Sequence, residues 1–190
     1  MKIIKTKFKD LVIIESKNFY DSRGFFREIL IEKLIKKKFK FNVVSKSKKN
    51  VLRGLHMQKN FPQGKYVSVL KGSILDIVVD CRKNSKTFGK HFKIIISDKN
   101  AKSIYVPPGF IHGFVGLNKE NLVLYSCTQY RNKNSEFGVI WNDKDLKINW
   151  GIKKPILSEK ENTSLLIPKG FAHGFCALSK EVILHYKCSN

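Results

Sequence analysis

Residues 66–80 read Tyr-Val-Ser-Val-Leu-Lys-Gly-Ser-Ile-Leu-Asp-Ile-Val-Val-Asp, two β-rich runs with Lys71-Gly72 between them. β-branched and aromatic residues favour strands, and a central Lys-Gly favours a tight turn, so the stretch predicts two strands around that turn. Short runs of the same kind follow at residues 91–96, 104–106 and 122–127. Turn signals every 8 to 12 residues between short strands are typical of a sandwich or barrel.

The rest of the chain agrees with a β fold. Two apolar runs within Lys2–Ser16 suit edge strands, and Ile29–Lys40 is the best helix candidate because its apolar residues recur at helical spacing. No convincing helix interrupts the region after Val51, which argues against a parallel α/β sheet. The sequence therefore predicts an all-β fold, a double-sheet jelly roll with a few short helices.

The charge of the chain invites a nucleic-acid interpretation. The sequence holds 37 Lys and Arg against 15 Asp and Glu, a net charge of +22. However, 32 of the cations are Lys scattered along the chain, and Lys, Ile and Asn share A/T-rich codons, so composition bias accounts for much of the excess. We expect no nucleic-acid partner, because such proteins concentrate their charge among stacking aromatics. Where the chain keeps arginine despite this bias toward lysine, we expect a site that needs the planar guanidinium and its paired hydrogen bonds. The arginines are Arg23, Arg27, Arg53, Arg82 and Arg131.

Several classes of protein are disfavoured. No apolar run approaches the roughly 18 residues of a membrane-spanning helix, and the first residues lack the features of a signal peptide. We therefore expect a cytoplasmic protein without a membrane partner. The four cysteines occur singly, without a C-x-x-C pair, so we expect neither a metal site nor a redox motif.

An internal repeat divides the chain. Val-Pro-Pro-Gly-Phe-Ile-His-Gly-Phe at 106–114 returns as Ile-Pro-Lys-Gly-Phe-Ala-His-Gly-Phe at 167–175. A jelly roll has one place for this strand-turn-strand unit. We predict one jelly-roll domain over residues 1–162 and a C-terminal extension, 163–190, that repeats the unit at 104–129. The extension is interpreted as a non-catalytic duplication, with a role in dimer contacts or at the pocket mouth as the alternative.

Polar side chains on predicted strands indicate a ligand pocket. Arg53 and His56 would face opposite sides of a regular strand, but Gly54 permits a bulge that changes this. Asp76 and Asp80 occupy even positions of one run and share a face, together with Arg82. Such groups are costly in a dry core, so they suggest a wet interior.

A series of motifs follows along the chain. They are Phe19-Tyr-Asp-Ser-Arg-Gly-Phe-Phe-Arg-Glu28, Val51-Leu-Arg-Gly-Leu-His-Met-Gln58, Gln63-Gly-Lys-Tyr-Val67, Val79-Asp-Cys-Arg82, Ser85-Lys-Thr-Phe-Gly89, Pro107-Pro-Gly-Phe-Ile-His-Gly-Phe114 and Ile140-Trp-Asn-Asp143…Ile148-Asn-Trp150. With these motifs the chain resembles one family, the dTDP-4-dehydrorhamnose 3,5-epimerases, over roughly residues 3 to 162. These enzymes act on nucleotide-linked 4-keto-6-deoxy sugars. The resemblance implies a cupin-type jelly roll without metal or other cofactor, usually a homodimer with exchanged strands.

The resemblance also implies roles in catalysis. His56 is the base that removes a proton α to the C4 ketone, and a neutral imidazole suits this work. Glu161 takes the place of the family Asp that orients this histidine. Tyr125 matches the proton donor on the opposite face of the sugar.

Further residues match the family's substrate contacts. Lys65, His112 and Arg53 match groups near the sugar and its carbonyl. The nucleotide and diphosphate contacts correspond to Arg23, Phe26 and Glu28. The chain departs from the family at Phe41-Asn-Val-Val-Ser45, where Gln-x-Asn-x-Ser is usual. Two polar contacts become apolar there, so dTDP, GDP and CDP all stay open as the nucleotide.

Three functions follow as hypotheses. The first is epimerisation at C3, C5 or both, through proton abstraction and reprotonation on the opposite face. The second is a 3,4-ketoisomerase of the same cupin type, which would move the carbonyl. The third is a non-catalytic protein that binds a nucleotide sugar or a polyanion.

Overall fold

The computed structural model describes residues 1–158 of the 190-residue chain. Strands account for nearly all of its regular structure, which confirms the all-β prediction. The strands are β1 (Lys2–Lys5), β2 (Val12–Glu15), β3 (Phe19–Asp21), β4 (Gly24–Phe26), β5 (Phe41–Lys48), β6 (Leu52–Gln58), β7 (Lys65–Lys71), β8 (Ser73–Asp80), β9 (His91–Ser97), β10 (Lys102–Val106), β11 (Phe110–Gly116), β12 (Glu120–Cys127) and β13 (Glu136–Gly138). One helix, α1 (Glu32–Ile35), and a 3₁₀ turn at Lys133–Ser135 complete the described elements.

The strands form two large sheets that face each other. The first has the order β1-β2-β10-β7-β12-β5, and the second has the order β13-β6-β11-β8-β9. All neighbours pair antiparallel, and β3 and β4 form a separate hairpin. This is the predicted double-sheet jelly roll. Of the two expected edge strands, β1 lies at an edge, whereas β2 lies between β1 and β10.

Apolar side chains fill three layers. The central layer lies between the sheets and includes Val67, Ile74, Phe114 and Val123, all fully buried. The outer face of the five-stranded sheet is covered by the segment after β13, with Trp150 buried against it. Burial of this apolar area is the main force that holds the sheets together. No helix within residues 1–158 has the length and apolar character needed to cross a membrane.

The predicted helix over Ile29–Lys40 is wrong in extent, because only Glu32–Ile35 is helical. The residue before it, Ile31, offers no side-chain cap, and Lys36 ends the helix in the left-handed conformation with φ 55°. No residue of so short a helix is buried, and a helix without a packed face is marginal. The flanking apolar residues instead pack on the outer face of the six-stranded sheet, around Tyr66 and Tyr105.

The tight turn at Gly72 lies where the sequence predicts it. Strands β7 and β8 form on either side of this turn, and they lie in different sheets. Gly72 has φ +84°, and a Cβ there would lie 2.3 Å from the Glu120 carbonyl oxygen. The tight turn therefore carries the chain from one sheet to the other.

Candidate active site

A cavity of about 380 Å³ opens between the two sheets. Its walls include five of the residues that the sequence predicts for the site, namely Arg53, His56, Lys65, His112 and Tyr125. These residues come from four strands and are distant in sequence. The fold therefore brings together the predicted centre of the site, and a volume of this size suits a small ligand.

A bulge in β6 turns two of these side chains to the same cavity. His56 is opposite His112 on β11, but Arg53 is opposite Phe114, so β6 has one extra residue between the two pairs. Gly54 lies within this bulge with φ +122°, a conformation that favours glycine. The predicted departure from strict alternation at Gly54 is thus found in the structure.

Glycines make room for the imidazole of His56 and for the bulge. Gly138 on β13 is opposite His56, and a Cβ on Gly138 would lie 2.9 Å from the His56 Cδ2 atom. Similarly, a Cβ on Gly54 would lie 2.4 Å from the Gly113 Cα atom. These close approaches fix where β6 can lie relative to its two neighbours.

The proton-transfer candidates face the cavity from opposite walls. His56 lies on β6 of the five-stranded sheet, and Tyr125 lies on β12 of the six-stranded sheet. A planar enolate held between the sheets would present one face to the imidazole and the other to the phenol. The arrangement can therefore remove a proton on one face and return one on the other.

Asp76 is the buried partner of His112. The His112 Nε2 atom lies 2.7 Å from Asp76 Oδ2, and the two side chains are only 5% and 0% exposed. The second carboxyl oxygen of Asp76 has no hydrogen-bond partner among the described residues. Asp76 thus positions the ring of His112, which packs edge-on to the Tyr125 ring at a centroid distance of 6.4 Å.

Burial shifts the pKa of the ionisable groups on the six-stranded wall. It lowers the pKa of Lys65, an effect that the nearby Cys127, Glu136 and Asp76 partly oppose. Burial raises the pKa of Tyr125 well above its usual value, although the Ser45 hydroxyl at 3.4 Å acts in the opposite direction. The phenol therefore stays protonated at neutral pH, as a proton donor requires.

Arg53 links the two sheets at the cavity edge. Its Nε atom donates to Ser47 Oγ at 3.0 Å, and its Nη2 atom donates to the Lys46 carbonyl at 3.2 Å. Both acceptors lie on β5, whereas Arg53 lies on β6. The guanidinium is held in place by these bonds while it lines the cavity.

Asp80 and Arg82 do not belong to the cavity wall, so the expectation of one wet face that includes them is wrong. The Asp80 carboxylate accepts bonds from Arg82, Ser85 and Thr87 at 2.6 to 2.9 Å. Burial opposes its ionisation, but these bonds prevail and lower its pKa. The Arg82 guanidinium also lies 4.5 Å from the Phe110 ring centroid. The charges of Asp80 and Arg82 are paired with each other, and Arg82 packs against Phe110 at the start of β11.

The remaining predicted residues lie elsewhere. Arg23 and Phe26 belong to the exposed β3–β4 hairpin, with 88% of the Arg23 side chain and 68% of Phe26 exposed, and Glu28 is exposed just beyond it. None of the three lines the cavity of its own chain. Glu161, like the repeated segment at 163–190, lies outside the described residues.

Sequence reasoning missed the buried partner of His112 and two residues of the cavity wall. Asp76 was assigned to a polar face but not to His112, although its alternation along β8 was the available signal. Arg131 and Glu136 also line the cavity and form an ion pair with each other. The signal that the sequence offered for Arg131 was its identity as one of the few arginines in a lysine-rich chain. Within residues 1–158, no group of three His, Cys, Asp or Glu side chains is placed to hold a metal ion.

The comparisons with known proteins agree with this geometry. The profile of the family described as dTDP-4-dehydrorhamnose 3,5-epimerase matches residues 5–164 and, separately, residues 154–190. The epimerase of that name from Salmonella typhimurium is 42% identical over 175 residues, which are 88% of this chain and 96% of the relative. The Shigella flexneri epimerase is 40% identical over 168 residues, 85% of this chain and 93% of the relative.

Solved structures show the same fold. An epimerase from Legionella pneumophila in complex with dTDP-4-keto-L-rhamnose superposes with a TM-score of 0.82 at 40% identity, covering 87% of this chain and 92% of that one. The dTDP-4-dehydrorhamnose 3,5-epimerase from Bacillus anthracis, with TDP and PPi bound, gives a TM-score of 0.83 at 39% identity and covers 87% and 99%.

The two-sheet jelly roll, the cavity between its sheets and the relatives together define the class, a cupin-type isomerase that acts on a nucleotide-linked sugar. Within that class, the chain belongs to the dTDP-4-dehydrorhamnose 3,5-epimerase family.

Proposed function

We propose that the cavity between the sheets inverts C3, C5 or both in a nucleotide-linked 4-keto-6-deoxy sugar, with His56 and Tyr125 as the proton-transfer pair. The observation that carries these roles is the position of His56 and Tyr125 on opposite sheets of one cavity. Inversion of a carbon requires that a proton is removed from one face of the substrate and that a proton is delivered to the other face. Family membership supports the same reaction.

In the proposed mechanism, neutral His56 removes the proton from the carbon next to the C4 ketone. The electron pair of the C–H bond moves into the ring as an enolate, and negative charge develops on the C4 oxygen. Lys65 and His112 stabilise that oxygen, since preorganised cations and donors are strongest in a buried site. Tyr125 then donates its proton to the opposite face of the carbon.

Glu161 is proposed to orient His56 and to compensate its positive charge. The segment that leads to it returns to the sheet, because the Leu52 amide donates to the Ile156 carbonyl at 3.0 Å. Ser158 then lines the cavity itself. Three further residues of extended chain span at most about 10 Å, so Glu161 is within reach of the site.

The substrate is proposed to be a dTDP sugar, since the Legionella pneumophila relative holds dTDP-4-keto-L-rhamnose. The cavity wall is apolar at Phe41 and Val43, where the family resemblance implies contacts to the nucleotide. Apolar contacts accept any base, so GDP and CDP sugars belong in the test.

A homodimer is proposed on the basis of the β3–β4 hairpin. Its side chains Phe19, Tyr20, Phe25 and Phe26 are 48% to 70% exposed, which is unusual for adjacent aromatics on a free surface. A second copy that covers this hairpin would bring Arg23 and Phe26 to the site of its neighbour. The expected absence of a nucleic-acid partner and the expected cytoplasmic location remain predictions.

The division at residue 162 is proposed to separate the epimerase domain from a duplicated segment. Support comes from the second, separate match of the family profile at residues 154–190. The first copy of the repeat occupies β10, β11 and β12, so the substrate-binding role stays with His112 and the catalytic role with Tyr125. Deletion of residues 163–190 should therefore leave turnover within about twofold if the duplication is non-catalytic.

The experiment that tests the function is incubation with dTDP-, GDP- and CDP-linked 4-keto-6-deoxy sugars in deuterated water. Epimerisation predicts deuterium at C3, C5 or both, with inverted configuration by NMR. A product with its carbonyl at C3 would instead indicate ketoisomerisation. Tight binding with no exchange for any of the sugars would contradict the proposal and favour a binding protein.

A further inference from the structure

Tyr125 must regain a proton after each inversion. In the proposed mechanism the phenol gives its proton to carbon, so each cycle leaves a phenolate at Tyr125 and a protonated imidazole at His56. Burial raises the pKa of Tyr125, so a phenolate is costly there and the protonated form must return before the next cycle. The bound sugar lies between the two groups. A proton that returns to Tyr125 while the cavity is occupied therefore needs a path outside the substrate.

Ser45 is a hydrogen-bond partner of the Tyr125 phenol. The Ser45 Oγ atom lies 3.4 Å from the Tyr125 Oη atom, and either hydroxyl can be the donor. This distance is long for two hydroxyl groups, but catalytic hydrogen bonds commonly shorten once substrate is bound. The bond favours the phenolate, because it opposes the effect of burial on the pKa of Tyr125. Ser45 is thus placed to stabilise the charged form and to pass a proton to it.

The position of Ser45 connects the phenol to the edge of the six-stranded sheet. Ser45 lies on β5, the last strand of that sheet, and is opposite Val123 of β12. Val123 packs between the sheets, so Ser45 shares this inner face with Tyr125, two residues further along β12. Ser45 does not line the cavity. It is nevertheless partly exposed, and its neighbours Val44 and Lys46 are exposed.

Arg53 supports a transient charge at the same point. Its positive charge also lowers the pKa of Tyr125, against the larger effect of burial. The guanidinium is held by the Lys46 carbonyl and the Ser47 hydroxyl, which belong to the two residues after Ser45. A phenolate at Tyr125 therefore has a hydroxyl donor and a fixed cation nearby, both held by β5.

We infer that Ser45 is the relay that returns a proton from solvent to Tyr125 at the edge of the six-stranded sheet. The inference rests on the proposed function, because it needs Tyr125 as the proton donor. The Ser45 proton moves to the phenolate oxygen while the Ser45 oxygen takes a proton from an acid in solvent. The two transfers are concerted, so no serine alkoxide forms, and one proton enters for each proton that His56 releases. Ser45 acts through Tyr125 and does not touch the sugar.

Single-turnover and steady-state kinetics of the full chain test the inference. The proteins are wild type, Ser45→Ala, Ser45→Thr and Ser126→Ala, and the substrate is a dTDP-linked 4-keto-6-deoxy sugar. Ser126 is the matched control, because its hydroxyl donates to Asn42 Oδ1 at 2.7 Å and links the same two strands on the opposite face. In Ser45→Ala the first inversion of a single turnover should stay within about threefold of wild type, whereas kcat should fall about tenfold or more.

A small buffer acid separates a lost relay from slow product release. At constant pH and ionic strength, increasing concentrations of imidazole buffer should raise kcat of Ser45→Ala and leave kcat of the wild type unchanged. The reason is that a diffusing donor can replace the missing hydroxyl. Ser45→Thr keeps the hydroxyl and should stay within about threefold of wild type, and Ser126→Ala should stay within about twofold.

Four results would overturn the inference. They are a kcat of Ser45→Ala within about twofold of wild type, a first inversion slowed as much as kcat, a kcat of Ser45→Ala that does not respond to buffer, and an equal loss in Ser126→Ala. Any of these beside a wild type that inverts the sugar refutes the relay and leaves the proposed function intact. A wild type that neither exchanges deuterium nor inverts the sugar refutes the proposed function, and the relay with it.

Discussion

The pairing of Asp76 with His112 leads to a prediction that separates positioning from stability. Asp76→Asn keeps the shape of the side chain but replaces a carboxyl group with an amide. The amide oxygen can still accept from His112 Nε2, now at 2.7 Å in the native geometry. The amide NH₂ would take the place of Oδ1, which has no hydrogen-bond partner among the described residues. Two buried donors would then be unsatisfied.

The expected cost follows from that geometry. The bond to His112 is retained but weakened in the amide, and an unsatisfied buried group costs about 1–3 kcal/mol. We therefore expect a loss of about 2–4 kcal/mol in the free energy of unfolding. If half of this loss also appears in the transition state through a misoriented His112, kcat falls by about 5- to 30-fold.

Asp80→Asn is the matched control for this variant. Asp80 lies four residues away on β8, is equally buried, and is bonded to Arg82, Ser85 and Thr87, not to a residue of the cavity wall. Guanidinium denaturation should show a loss for both variants, while solvent exchange into the 4-keto sugar should slow strongly only for Asp76→Asn. Equal slowing in both variants, or normal kcat in Asp76→Asn, would refute the positioning role of Asp76.

Three further predictions concern the bulge, the pocket lysine and the closed ion pair. In a denaturation experiment, Gly54→Ala should destabilise the protein by more than about 2 kcal/mol, because φ is +122° and the new Cβ would lie 2.4 Å from Gly113 Cα. The control is Gly24→Ala, with φ +134° but no atom within 4 Å, which should destabilise the protein clearly less. Burial lowers the pKa of Lys65 from its ordinary value of 10.5. The rate should therefore begin to fall, as the pH is raised, at a pH below 10.5, and Lys65→Arg should move this alkaline limb to higher pH. An unmoved limb would contradict the role of Lys65 as the cation at the C4 oxygen. Folding lowers the pKa of Asp80. The ionised carboxylate therefore contributes stability above about pH 4, and this contribution is lost as the pH falls through the folded pKa. The difference in unfolding free energy between wild type and Asp80→Asn should narrow below about pH 4. A difference that stays constant with pH would show that the ionisation of Asp80 is not linked to folding.

Strand positions were the most predictable part of the fold, because alternation and turn residues are local properties. The segment after Val51 formed strands where the sequence indicated them. The helix over Ile29–Lys40 was overestimated because helical spacing says nothing about whether a face is covered. The sequence does not state which sheet each strand beside Gly72 joins, since a tight turn can connect two paired strands or two separate sheets.

The site residues that lie in recognisable motifs were predictable from the sequence. The partners that these residues contact in the folded chain were less predictable. Residue motifs placed His56, Lys65 and Tyr125 together, and the structure puts all three around one cavity. The partner of His112 depends on the register of β8 against β11, which a sequence does not state. The separation of Asp80 from the cavity depends on Arg82, Ser85 and Thr87 folding back over it.

The central claim is that His56 and Tyr125 act on opposite faces of one substrate, and a single NMR experiment in deuterated water tests it most directly. Wild type, His56→Ala and Tyr125→Phe are each incubated with the 4-keto sugar, and both exchange and configuration are recorded at C3 and C5. We predict that His56→Ala abolishes exchange, whereas Tyr125→Phe still exchanges protons but returns them to the original face, so configuration is retained. Exchange that persists in His56→Ala, or inversion that persists at the wild-type rate in Tyr125→Phe, would contradict the account.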